Sequence, residues 1–345
     1  MPHELVNGRR RSNGLTPTPS ARTVVRQNGR GSVPRLTIGL PTYNGEQLLN
    51  EAFDALLGQT YQDFELIVSD NASTDGTAQI CRHYAEQDAR IRYVRQQRNI
   101  GLVPNHIFVM EQARGEFFKW ASHDDLYARD LLKCCVEALD KQPDAVLAHS
   151  WSAMIDISGT VIGTLDTQAV VDSPRAPDRF RSMLFDGWDD YTYGVIRTKA
   201  LLQMTRRGSY HFADRTINTE LALYGRFHIV PDWLYFRREH RERPPLSVRD
   251  RCAILDPRRA DRLRHPVARL YGEYLWGYVS AIRKAPLSVD DRRECYSHLA
   301  HWVMSRAIPV TGRTLRREPL RGWVASSAEP PLIPVDALVT RRELT

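Results

Sequence analysis

The sequence predicts an α/β fold, a mostly parallel sheet flanked by helices and followed by a C-terminal helical extension. Three observations predict it. Short apolar strands alternate with helical repeats from residue 35 onward, acid-bearing polar loops recur where those strands end, and the last hundred or so residues change to two amphipathic helical faces. A chain of 345 residues, 42% hydrophobic with Trp 7, Tyr 14 and Phe 10, has the apolar material for a core, which excludes a wholly disordered chain.

Residues 1–34 are polar, turn-rich and without periodicity, and are expected to form a disordered leader. Order is expected from 35 to 250. Arg35 to Leu40 reads as a strand ended by Pro41 and the Asn44-Gly45 turn, and apolar residues from Leu48 to Leu57 recur at helical spacing. Phe64 to Ser69 reads as a buried strand, and the loop Asp70 to Asp75 is suited to cap a helix over 76–87. The order continues with a strand at 91–94, a helix from Pro104 to Ala113, a strand at 116–120 and a helix at 128–139. Ala145 to Ile157 is strand-like and pairs with Val161 to Leu165 through Ser158-Gly159. Helical pieces follow at 180–184 and 216–223, then extended chain at 227–236 broken by Pro231.

Residues 251–345 form the extension and tail. Val267 to Ile282 carries an apolar helical face, and Ser288-Val-Asp-Asp291 opens a second face through Cys295, Leu299, Trp302 and Val303. The pair reads as a helical hairpin that closes one edge of the core or, on the alternative reading, forms a homodimer or membrane-surface contact through 267–305.

The formal net charge of +7 points weakly to nucleic acid, but +5 of it sits in residues 1–34, so no nucleic-acid partner is expected. Five cysteines, odd in number and including the adjacent Cys134 and Cys135, imply a reducing, cytoplasmic compartment, with the inner membrane face as a peripheral location. No run approaches the length of a transmembrane segment or reads as a signal peptide.

In a parallel sheet the loops after the strand carboxyl ends form the ligand crevice. Asp70 closes one strand here, and Asp124-Asp125 close another. Adjacent carboxylates repel each other, and a divalent cation with phosphate oxygens removes that penalty.

The stretches Leu36 to Gly45, Phe64 to Thr77, Asn99-Ile-Gly101 and Gly115 to Asp125 resemble glycosyltransferase family 2 in order, spacing and wording, across residues 35 to about 240. The resemblance implies a GT-A fold, a nucleotide-sugar donor with UDP-sugars favoured, Mg²⁺ or Mn²⁺, and transfer with inversion to an acceptor hydroxyl. That acceptor is a saccharide, a lipid-linked saccharide or a small molecule. By the same resemblance Pro41 and Tyr43 line the base pocket, Asp70 contacts the base, and Asn99 and His123 belong to the donor site. Asp124 lies near the ribose and first phosphate, and Asp125 contacts the metal. Ser122 stands where many relatives have Asp. The general base is Asp214, eleven residues before Gly225, with Glu220 as competitor, and Arg237, Arg238 and His240 are expected to stabilise the leaving diphosphate. The alternatives are a non-catalytic GT-A homologue that binds carbohydrate or sugar nucleotide in a complex, and a sugar nucleotidyltransferase.

Overall fold

The computed structural model describes residues 22–23, 33–165, 170–186, 190–204, 213–240, 254 and 267–307. Most of the expected leader, and the tail after 307, lie outside the described residues.

The strands are β1 (Arg22–Thr23), β2 (Leu36–Thr42), β3 (Phe64–Asp70), β4 (Ile91–Arg95), β5 (Phe117–Trp120), β6 (Leu126–Tyr127), β7 (Ala145–Ile155), β8 (Val161–Leu165), β9 (Val195–Arg197) and β10 (Arg226–Arg238). The helices are α1 (Leu49–Leu57), α2 (Thr77–Gln87), α3 (Leu102–Glu111), α4 (Leu131–Lys141), α5 (Ala176–Phe185), α6 (Thr198–Gln203), α7 (Ala213–Tyr224), α8 (Val267–Lys284) and α9 (Val289–Ala307). One sheet joins the strands in the order β1-β4-β3-β2-β5-β9-β7-β10-β6, with β8 paired to β7.

The run β4-β3-β2-β5 is parallel, as expected of strands joined through α1, α2 and α3. Beyond it the sheet is mixed: β5-β9, β9-β7 and β10-β6 are antiparallel, and β7-β10 is parallel. All seven residues of β2 and of β3 are buried, as expected of central parallel strands covered on both faces. Pro41 is tolerated in this central strand because pairing to β5 ends at Gly39, leaving no partner on that side in need of its missing N–H. On β10 the expected break at Pro231 is a register irregularity between Val230 and Trp233, and the strand continues through it.

Helix α3 begins two residues before the expected Pro104, whose missing donor falls in a first turn where donors have no helical partner. The hairpin α8-α9 forms as expected. Ser288 Oγ accepts the Asp291 amide at 3.1 Å, capping α9, and Arg292 donates to the carbonyl oxygens of Arg283 and Ala285 at the end of α8. Its apolar face packs on α5 and α7, with Tyr278, Ile282, Cys295 and Leu299 against Phe180, Leu184 and Leu223. Tyr278 is fully buried within its own chain, so the face expected to serve a dimer is at that position internal core, and the Tyr274 side chain lies outside the described residues.

A candidate nucleotide-sugar site at the strand ends

Thr42, Asp70 and Arg95 align across the carboxyl ends of β2, β3 and β4, and the loops that follow are laced together. Asn44 and Ala72 take positive φ angles of 51° and 61°, conformations that non-glycine residues adopt only when their surroundings hold them. The surroundings are specific. Asn44 N donates to Ser73 Oγ at 3.0 Å, Thr74 N to Asn44 Oδ1 at 2.9 Å, and Gly45 N to Thr77 Oγ1 at 2.8 Å. Asp75 Oδ1 accepts from Thr77 N and Oγ1, and Glu46 Oε2 accepts from Gly76 N, so the loop caps α2 as its composition implied.

Asp70 is fully buried. Its Oδ1 accepts from Ser73 N at 2.8 Å, and its Oδ2 accepts from Tyr93 OH at 3.0 Å and Arg95 Nε at 3.1 Å. The carboxylate therefore organises its own loop and holds the half-exposed Arg95 at the crevice. Asn99 Oδ1 accepts from Asn71 Nδ2 and Gly101 N, joining the third loop to the second. Pro41 is buried in β2, and Tyr43 is exposed at the mouth.

The fourth loop meets the first at His123. A Cβ added to Gly45 would lie 2.7 Å from His123 Cδ2, so only glycine admits this approach. Trp120, in contrast, is buried and donates from Nε1 to the His106 carbonyl, which makes it core.

The two acids of the fourth loop face different ways. Asp124 accepts from Ser122 Oγ, and its Oδ2 lies 2.7 Å from His240 Nε2. Burial alone would raise its carboxyl, but the nearby His123 and the Ser122 and His240 contacts outweigh burial and hold it below the usual range. Asp125 is buried, with Tyr235 OH donating to Oδ2 at 2.5 Å and Arg238 N to Oδ1 at 2.9 Å. Burial first, and repulsion from Asp124 second, push its carboxyl up to about 7. Near neutral pH the charge of the pair is concentrated on Asp124, the member beside Ser122 and His240.

The basic cluster divides in the same way. The Arg238 guanidinium is buried and donates to the carbonyl oxygens of Asp124, Asp156 and Ile157 and to Glu51 Oε2. Arg237 pairs with Asp190 at 3.3 Å and Glu239 at 3.2 Å. Of the three, His240 lies against the Asp124 carboxylate, and Arg238 meets Asp124 at its backbone carbonyl. Among the described residues no group of three or more His, Cys, Asp or Glu is arranged to hold a metal ion.

Helix α7 begins at Ala213, so Asp214 lies in its first turn, with its side chain outside the described residues. Glu220 is fully buried within the same helix. Gly225 ends that helix against β7, where an added Cβ would lie 2.5 Å from Val146 Cγ1 and 2.8 Å from the Asp144 carbonyl oxygen, which explains the glycine at this point. Sequence reasoning missed Tyr93, Arg95, Asn71 and Ser73 around Asp70, and Tyr127 and Tyr235 around the acidic pair. For Tyr93 and Arg95 the signal was available, since both sit near the end of β4 beside β3.

The family model described as Glycosyl transferase family 2 matches residues 37–175, and that segment is similar to the family. A curated relative, an uncharacterized glycosyltransferase of Haemophilus influenzae, is 29% identical over 141 residues, covering 41% of this chain and 56% of its own length. Glycosyltransferase GlyA of Streptococcus pneumoniae is 28% identical over 119 residues, 34% of this chain and 17% of its own. The chain thus spans little more than half, or far less, of the curated relatives it matches. The crystal structure of TarS residues 1–349 from S. aureus is similar with a TM-score of 0.57 at 19% identity, covering 79% of this chain and 72% of that one. TarS has also been solved in complex with UDP-GlcNAc, at the same similarity. The fold is therefore of the GT-A type, with the helical C-terminal region added to it. No helix among the described residues is long and apolar enough to cross a membrane.

Proposed function

We propose that this chain transfers a sugar from a nucleoside-diphosphate sugar to an acceptor hydroxyl, with inversion at the anomeric carbon. The observation that carries the reading is the convergence of the Asp70, Asn99 and Asp124 loops at one strand edge, with Asp124 paired to His240. UDP-sugars come first as donors, a choice supported by the UDP-GlcNAc complex of TarS. Tyr43 and the Asp70-held Arg95 flank the base, and His123, pinned on Gly45, lies toward the sugar.

A Mg²⁺ or Mn²⁺ ion fits this donor set only as one held largely by diphosphate and water, because Asp125 spends both oxygens on Tyr235 and Arg238. We accordingly shift the cation contact from Asp125 to Asp124, with His240 beside it. Bound there, the ion would offset charge on the leaving diphosphate. Asp214 is the general base, taking the acceptor proton as the glycosidic bond forms, and the complete burial of Glu220 supports that choice.

Hydrolysis of UDP-, dTDP- and GDP-sugars, measured with and without Mn²⁺, tests the reading. Slow donor hydrolysis that rises with an acceptor is expected. Tight nucleotide-sugar binding without any turnover would favour a non-catalytic binding homologue, and absence of both would reject the proposal.

A further inference from the structure

Strand β5 alternates, so Phe118 and Trp120 enter one core cluster while Phe117 and Lys119 face the other side. Lys119 is fully buried in that second position, where an apolar residue would be the inexpensive choice. Its ammonium is held by a particular box. It donates to the Tyr193 carbonyl oxygen and lies 5.2 Å from the Tyr127 ring centroid and 5.6 Å from that of Tyr235. The two rings are themselves 5.8 Å apart, and Tyr193 stacks on Tyr235 at 5.7 Å.

Both tyrosines in contact with the ammonium hold the acidic loop. Tyr127 OH accepts from Ser122 N at 2.8 Å and donates to Ser122 O at 3.0 Å, fixing the start of the loop. Tyr235 OH donates to Asp125 Oδ2, fixing its end. Asp124, which carries the pairing to His240, sits between these two anchors. We propose that Lys119 is a positioning residue, whose ammonium fixes the Tyr127 and Tyr235 rings and through them sets the register of Ser122 to Asp125 against β10. Its functional consequence rests on the glycosyltransferase reading, but its structural consequence does not. Burial lowers the pKa of the ammonium to about 8, against the attraction of Cys135, Asp125 and Asp190.

The test uses the full chain with Lys119→Met, Lys119→Arg and Tyr235→Phe. Two quantities are read: amide hydrogen exchange at Ser122 and Arg238, and the gain in UDP affinity on adding Mn²⁺. Lys119→Met should speed exchange at both amides by about tenfold or more without changing the amides of β2 and β3. It should also remove most of the Mn²⁺-dependent gain, and Lys119→Arg should restore both. Tyr235→Phe should speed exchange at Arg238 and leave Ser122 protected, which separates the two anchors. Wild-type exchange at both amides in Lys119→Met, or loosening shared equally with β2 and β3, would overturn the proposal. If the loop loosens as expected but the wild type shows no UDP binding with or without Mn²⁺, the positioning role stands and the transferase reading falls.

Discussion

The loop that carries Asp70 is braced by near neighbours in the chain, at Ser73, Tyr93 and Arg95, which lie 3, 23 and 25 residues away. The loop that carries Asp124 and Asp125 is braced from 110, 113 and 116 residues away by Tyr235, Arg238 and His240. The first can form once β3 and β4 pair. Tyr127 holds the start of the second locally at Ser122, but its two acids are braced only when β10 has docked on β6 and β7 in the right register, and a slip of one residue there would turn Tyr235 to the opposite face. One half of the site is therefore a local motif and the other a product of the whole fold, so substitutions far along the chain should reach the acidic pair and spare Asp70.

The largest expected effect lies outside both loops. Asp214→Asn should lower acceptor-dependent turnover by about 10²- to 10⁴-fold with donor affinity unchanged, measured by steady-state kinetics. Glu220→Gln, at a fully buried position, should act on stability. A Glu220 variant that folds normally but loses turnover in that range, beside an active Asp214→Asn, would reverse the assignment.

Stability separates the two halves next. Arg238→Met removes the guanidinium donor from the carbonyl oxygens of Asp124 and Ile157 and from Glu51, and one of two donors from the Asp156 carbonyl, and should cost about 3–5 kcal/mol in urea unfolding. Asp70→Asn weakens bonds confined to its own neighbourhood and should cost roughly 1.5–3 kcal/mol. Equal losses would remove the distinction between a locally and a globally braced loop.

A smaller effect follows from the raised Asp125 carboxyl. With its carboxyl pushed up to about 7 in the fold, the unfolded chain releases this proton first as pH rises. Between about pH 4 and pH 7 the unfolded state binds fewer protons at this site, so stability falls with rising pH, by at most about 1.4 kcal/mol per unit. Asp125→Asn should flatten that slope in thermal unfolding measured across the window. Asp124, held low, acts in the opposite sense: its contribution is present above the ordinary carboxylate range and is lost as pH falls through and below it. The smallest change is expected at Ala72→Gly, where relief of the positive φ and the added chain entropy nearly cancel, leaving stability within about 1 kcal/mol.

The comparison also accounts for what the sequence reveals. The parallel run β4-β3-β2-β5 was legible because each strand is short, apolar and followed by a helical repeat, and the loops at its carboxyl ends are made of the residues that cap and turn. The antiparallel pairing of β9 was not legible, since Val195–Arg197 has only three residues and no periodicity to read. Asp124 and Asp125 were visible as a pair, but their opposite orientations were not, because Tyr235, Arg238 and His240 decide them from a strand whose register is set by tertiary packing. Arg238 shows the limit most clearly: a basic residue beside an acidic loop suggests a phosphate contact, and its guanidinium is instead engaged by backbone carbonyl oxygens and Glu51.

The central claim is that Asp124, paired with His240, is the carboxylate through which a cation and the donor diphosphate are held. Calorimetric titration of UDP with and without Mn²⁺ into wild type, Asp124→Asn and Asp125→Asn tests it most directly. The account predicts that Mn²⁺ tightens UDP binding in the wild type by about tenfold or more, that Asp124→Asn abolishes the gain, and that Asp125→Asn keeps a substantial part of it. A gain that survives in Asp124→Asn and vanishes in Asp125→Asn would contradict it.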